Sequence, residues 1–181
     1  MKTTEKIPVT VLPTEGTDEV ASELINQIRL AHRAFPSGVT VVTAESDGAP
    51  VGLAVNAFSS VSMSPPMVLV CVNASSRSHD ALAASDHLAV SILSHSQTDI
   101  AGVFAKSGGD KFSQIEWHTG ANGAPIVDGA SATFELEVVS RVEAGTHSVF
   151  FGRILRADTS GLPPLLYADG RFFDSSELLA S

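Results

Sequence analysis

Between Pro50 and Asn73 the chain reads PVGLAVNAFSSVSMSPPMVLVCVN, two apolar runs joined by a small, polar middle. Asn56, Ser59 and Ser60 supply hydrogen-bond donors and acceptors at little steric cost, and Phe58 is the one bulky ring among them. A flat ligand can lie against backbone and hydroxyls in such a stretch. Shortly afterwards Ser75-Ser76-Arg77-Ser78-His79-Asp80 places one arginine among hydroxyls at the start of a short helical pattern, chemistry suited to an anion. Taken alone, the first stretch reads better as a plain antiparallel strand pair and Arg77 as a solvated surface charge.

The flanking pattern gives the elements that must position these groups. Residues 1–17 lack periodicity and read as a flexible N-terminal arm, leaving residues 18–181 as one domain. Asp18 to Phe35 carries Val20, Leu24, Ile28 and Ala31 on one helical face, and Pro36 ends that helix. Val39 to Ala44 reads as a strand, and the turn chemistry of Ser46 to Pro50 makes it a hairpin with the next run. The key stretch itself reads as strand, ligand-facing bend, strand, with Pro65 and Pro66 as the stop.

Ala81 to Ser85 reads as a short helix, His87 to Leu93 as a strand, and Gln97 to Phe104 as a helix capped by Ser96. Ala105 to Gly123 is a loop long enough to suggest work beyond connection. Strands follow at Ala132 to Val142 and Ser148 to Ala157, and Asp169-Gly170 tips a closing hairpin. Many short strands with few helices predict a mainly β barrel or sandwich.

Composition narrows the function. The 181 residues are 44% hydrophobic and 17% charged, apolar enough to predict burial of some surface against a second subunit. Eleven Lys and Arg against 20 Asp and Glu give a net charge of −9, the wrong sign for nucleic acid or anionic membranes. Any anionic ligand must be captured locally. Cys71 is the single cysteine, so an intramolecular disulfide and a cysteine metal cage are excluded, and no metal site is expected. Lack of an apolar leader or span predicts a cytoplasmic protein. No Gly-x-Gly-x-x-Gly, Walker loop, His-Glu-x-x-His or Gly-x-Ser-x-Gly is present, so nucleotide binding must use other means.

FPSGVTVVTA at Phe35 to Ala44, the Pro50 to Asn73 stretch, SRSH at Ser76 to His79, DKFSQIEW at Asp110 to Trp117, HSVFFGRI at His147 to Ile154 and PLLY at Pro164 to Tyr167 form one ordered set. This set resembles the short-chain flavin reductase family, the reductase components of two-component flavin monooxygenases, from about Leu30 to Phe173. The resemblance implies a Greek-key, FMN-binding type split β-barrel and a homodimer. It implies an oxidoreductase that uses NADH or NADPH to reduce FMN or FAD and passes the reduced flavin to a partner oxygenase.

Residue by residue, it sets Pro50, Val51, Gly52, Leu53, Ala54, Asn56 and Ala57 beside the flavin ring, with Ser59 and Ser60 following. Cys71, Val72 and Asn73 match the strand end along the ribityl chain, and Arg77 and Ser78 the phosphate pair. His147, Ser148, Val149 and Phe150 match the nicotinamide segment, with His147 and Asn56 as the groups acting on the reacting partners. Lys111, Phe112 and Tyr167 fall near the site. Two departures stand out: Thr146 where the family commonly has an aspartate beside the histidine, and Ala57 where it has a hydroxyl. Two other readings fit the same fold: a flavoprotein that retains FMN or a deazaflavin and acts on a small substrate, and a non-catalytic β-barrel binding protein.

Overall fold

A computed structural model describes residues 4–6 and 18–176, with side chains from Ser22 onward. A short strand β1 (Thr4–Lys6) precedes helix α1 (Asp18–Arg33), and β2 (Ser37–Gly38) follows it. Then come β3 (Thr40–Ser46), β4 (Ala49–Val55), β5 (Phe58–Met63), β6 (Pro66–Asn73), α2 (His79–Ala84), β7 (His87–Ile92) and α3 (Thr98–Ala105). A 3-10 turn (Phe112–Gln114), β8 (Trp117–Thr119), β9 (Pro125–Val127), β10 (Ala132–Ala144), β11 (His147–Thr159), β12 (Leu165–Ala168) and β13 (Arg171–Asp174) complete the order.

The main sheet runs β4-β3-β7-β10-β11-β6-β5, with β1 parallel to β10 at one side. β6 alternates, with Val68, Val70 and Val72 turned inward, whereas β3 and β7 are buried on both faces along most of their length. One apolar cluster contains Val42 of β3, Val55 of β4, Val68, Val70 and Val72 of β6, Val90 of β7, Leu136 and Val138 of β10 and Phe150 of β11. Strands near both ends of the path therefore share one interior, because the sheet curls on itself into the mainly β, split-barrel form. Leu82 of α2 plugs that interior.

A second cluster lies on the outer side of β3, where Val39, Val41 and Leu93 meet Ala101 and Phe104 of α3, Phe112, Val127 and Leu165. Phe104, Phe112 and Trp117 pack edge to face in series, with centroids 5.2 and 5.4 Å apart. These rings pin the segment between α3 and β8 against the barrel.

The sequence expectations change in detail. Thr4–Lys6 forms a strand within the expected arm, and the other residues of 1–17 lie outside the described ones. The helix stops at Arg33 rather than Phe35, and the expected apolar positions Leu24 and Ile28 are 52% and 44% exposed. Val20 lies outside the described side chains. The Pro50–Asn73 stretch holds three strands instead of two, because the break after β4 is confined to Asn56 and Ala57 and Phe58 to Met63 pairs with β6. Pro65 lies in the turn, while Pro66 opens β6 at an edge position. Gln97, not Ser96, precedes α3, its side chain bridging the Ser94 N–H and the Asp128 carbonyl.

Candidate active site

A cleft of about 540 Å³ opens between β4, the turn after β6 and the segment that follows α3. Its walls include Pro50, Val51, Gly52, Leu53 and Ala54, then Asn73, Ser75, Ser76, Arg77 and Ser78, then Phe104 through Phe112. Strand geometry explains the first wall: a run of small and apolar residues on a partly exposed strand leaves a smooth face beside accessible backbone.

The turn after β6 is built by its own side chains. Asn73 Oδ1 accepts from the Ser75 N–H at 2.9 Å and from the Ser75 hydroxyl at 2.8 Å, which closes an Asx-type turn and delivers Arg77 to the rim. Ser78 precedes α2 without capping it; its hydroxyl donates to the Gly52 carbonyl at 3.0 Å and ties the turn to β4. Lys111 closes the other side, donating to the same Gly52 carbonyl at 3.3 Å and to the Phe104 carbonyl at 3.2 Å, with its ammonium 5.6 Å from the Phe104 ring centre. Burial lowers the Lys111 pKa from its ordinary value.

Two features mark where an anion fits. The Ser76 hydroxyl is buried in the cleft wall with no hydrogen-bond partner, a donor left for something the protein itself does not supply. Gly108, at φ +80°, lies under the Arg77 guanidinium so closely that a Cβ there would run into Nη1. Among the described residues Arg77 and Lys106 have no carboxylate partner, so this end of the cleft is cationic in an acidic protein. A phosphate-bearing ligand matches that donor set.

Of the expected site residues, the fold brings Pro50 to Ala54, Asn73, Arg77, Ser78, Lys111 and Phe112 into the cleft. Asn56, Ala57, Ser59 and Ser60 lie outside its lining, exposed beyond the end of β4 and along β5. Cys71 sits mid-strand in β6, its thiol pKa raised by burial. Val72 and Phe150 are 0% and 1% exposed, so their side chains belong to the core and only their backbone can face a ligand. Tyr167 meets Phe172 in the closing hairpin with the rings tilted at 58° and is not part of the cleft lining.

His147 pairs with Asn73 across β11 and β6, and the Ala74 N–H donates to the Thr146 carbonyl at 2.9 Å, so the histidine segment adjoins the cleft mouth. Thr146 Oγ1 lies 2.9 Å from His147 Nδ1, a hydroxyl contact at the position where the resemblance would have a carboxylate. Val149 continues that strand opposite Cys71, and Ser148 is spent on a contact with His79.

The residue-by-residue resemblance left out Ser75, Ser76 and most of the 104–110 wall, although residue chemistry singled out the Ser75–Asp80 run for an anion and the 105–123 loop for work beyond connection. The Gly108-Gly109 pair in a long loop was the available signal, because two consecutive glycines permit the left-handed backbone that brings the loop against Arg77. Among the described residues no group of three or more His, Cys, Asp or Glu could hold a metal ion, and no helix is long and apolar enough to cross a membrane.

A curled, mainly β sheet thus carries a turn with an unpartnered hydroxyl and a guanidinium beside a smooth strand. Residues 32–176 match the flavin reductase like domain, and the chain belongs to that family. It is 40% identical over 147 residues to a probable flavin reductase of Rhizobium meliloti (strain 1021), covering 81% of this chain and 47% of that one. It is 35% identical to the FMN reductase (NADH) SmoA of Agrobacterium fabrum, covering 89% and 92%. The NADH:FAD oxidoreductase of Streptomyces globisporus, solved in complex with NAD and FAD fragments, superposes with a TM-score of 0.79 at 37% identity, covering 83% and 92%. The chain spans about half the length of several curated relatives it matches.

Proposed function

We propose that this chain is an NAD(P)H-dependent flavin reductase that transfers hydride from a nicotinamide to free FMN or FAD. The cationic end of the 540 Å³ cleft carries the reading: a partnerless Ser76 hydroxyl and an Arg77 guanidinium cradled on Gly108 suit a flavin phosphate, and the β4 face suits a ring. Relatives named as an NADH-using FMN reductase and an NADH-dependent FAD reductase support both the reaction and NADH as donor.

Bound flavin supplies the hydride-accepting chemistry, which is why no nucleophile or general base is needed from the protein. In this reading the protein's work is positional. Arg77, Ser76 and Lys106 hold the phosphate; Pro50 to Ala54 provide the ring face; backbone N–H groups near Asn56 and Ala57 meet the ring's polar edge. His147, with Thr146 orienting its imidazole, holds the nicotinamide at the cleft mouth. The rest of the site assigned by resemblance, including Ser59, Ser60, Cys71 and Tyr167, is proposed to lie around these groups.

The functional unit in this reading is a homodimer of a single domain spanning residues 18–181. β5 ends the main sheet and is exposed along most of its length, with Val61 43% and Met63 84% exposed, and α1 leaves Leu24, Ile25 and Ile28 uncovered. A second subunit on that side would cover the apolar edge and enclose Asn56 to Ser60. Reduced flavin passes to a partner oxygenase, as several relatives are named reductase components of monooxygenases. An unpaired Cys71 fits the reducing cytoplasm.

Steady-state oxidation of NADH and of NADPH with added FMN or FAD tests the reading. Turnover that depends on free flavin is expected; flavin binding without nicotinamide oxidation would defeat it.

A further inference from the structure

We propose that His79 is a positioning residue for this reaction: through Ser148 it locks the phosphate-gripping turn to the strand that presents His147. The inference rests on the flavin reductase reading for its catalytic consequence, and on geometry alone for the lock.

His79 follows Arg77 by two residues and opens α2. Its Nε2 lies 2.8 Å from Ser148 Oγ, a contact between groups 69 residues apart in the chain. Its Nδ1 lies 2.9 Å from the Asp80 carboxylate. An ionised carboxylate only accepts, so in the neutral ring Nδ1 carries the proton and Nε2 is left to accept from the Ser148 hydroxyl. The arrangement has the order of a serine–histidine–carboxylate relay, yet Ser148 is only 9% exposed and does not line the cleft, so its hydroxyl has no substrate to attack. The hydrogen bond is left as a fastener.

What it fastens follows from strand alternation. Along β11, Ser148 and Phe150 turn inward while His147 and Val149 turn outward. The His79 ring bonds the first inward residue and packs edge-on against the second, at 6.5 Å between ring centres. The Arg141 guanidinium also lies over the Phe150 ring, 5.9 Å from its centre, and donates to the Ser85 carbonyl beyond the end of α2. The short helix is thus bolted to β10 and β11 at both ends. With the backbone bond from Ala74 to Thr146, the His79–Ser148 contact closes a ring containing Arg77 on one side and His147 on the other. Flavin phosphate and nicotinamide are held by two segments that cannot shift independently.

A lock of this kind sets the relative placement of two bound partners rather than the affinity for either, because Asn73 and Ser75 still shape the turn when it is broken. Misplacement of reacting groups by a fraction of an ångström is costly in rate. His79→Ala and Ser148→Ala should each lower kcat roughly 5- to 20-fold, with the flavin dissociation constant, read from fluorescence quenching, within about twofold of the unaltered protein. The double variant should be no slower than either single one, since both remove the same bond. His79→Gln, whose amide oxygen reaches the Nε2 position, should restore most of the rate.

Hydrogen exchange supplies a readout independent of turnover: in His79→Ala, peptides covering 73–80 and 146–149 should lose protection together. Exchange that changes in one segment only overturns the lock. Joint loss of protection with unchanged kcat overturns its catalytic role, as does a fall in flavin affinity matching the fall in kcat, or a His79→Gln variant as slow as His79→Ala. If the unaltered protein oxidises no nicotinamide with any flavin, the functional reading fails while the exchange result still decides the lock.

Discussion

The protein carries two clefts of similar size and opposite chemical state. The one between β4 and the 105–111 segment, about 540 Å³, keeps donors without partners: the Ser76 hydroxyl, and cations at Arg77 and Lys106 that no described carboxylate meets. The one beneath the β8–β9 hairpin, about 460 Å³, is lined by more charged and titratable side chains, yet they answer one another. There His118 Nδ1 meets Asp128 at 2.5 Å, Arg156 Nε meets Asp158 at 2.7 Å, and the buried Glu135 carboxylate accepts the Asn122 N–H at 2.6 Å. Arg156 holds the Asp158 carboxyl below its usual range, the mark of a charge already paired. Volume and polarity do not separate these clefts; unmet hydrogen-bonding capacity does.

Substitutions sharpen the contrast. Phe112→Ala should have the largest effect, because it removes the central ring of the series holding the first cleft's outer wall; we expect a loss of about 3–5 kcal/mol in denaturant unfolding, together with weakened flavin binding. Arg77→Ala should leave folding intact and weaken FMN binding roughly 10- to 100-fold, the range for charge-assisted hydrogen bonds, as measured by fluorescence titration. That loss should shrink as salt is raised.

Ser76→Ala should weaken FMN binding about 3- to 10-fold while thermal stability holds or rises slightly, since the hydroxyl has no partner to lose within the protein. That opposite pair of signs is the most specific mark of a ligand-directed donor. Arg156→Gln, in the second cleft, should change flavin affinity less than twofold; a larger change would erase the distinction between the clefts.

Much of the fold was legible because it rests on local chemistry. β-branched runs, the Asp47-Gly48 and Asp169-Gly170 turns and the Pro36 stop each act within a few residues, and the hairpins they predicted are present. The candidate cleft was legible where a motif is contiguous, at Pro50 to Ala54 and Arg77-Ser78, which line it. It was not legible where long-range contacts decide. Ser78 was matched to a phosphate pair by resemblance, and its hydroxyl donates to the Gly52 carbonyl 26 residues away, a contact no local pattern announces. Ser148 falls in the nicotinamide segment by resemblance, and its hydroxyl contact with His79, 69 residues away, could not be read from the sequence. The 105–111 wall depends on a glycine backbone folding under Arg77, which no periodicity encodes. Phe58 to Met63 read as part of a bend because a strand exposed along most of its length lacks the apolar alternation that announces one.

The most direct test of the central claim is flavin-dependent NADH oxidation measured side by side for the unaltered protein, Ser76→Ala and Arg156→Gln across a range of FMN and FAD concentrations. If the first cleft is the flavin site, oxidation requires added flavin, Ser76→Ala raises the flavin KM several-fold, and Arg156→Gln tracks the unaltered protein. Oxidation that ignores added flavin, or a KM shifted by Arg156→Gln and untouched by Ser76→Ala, would contradict it.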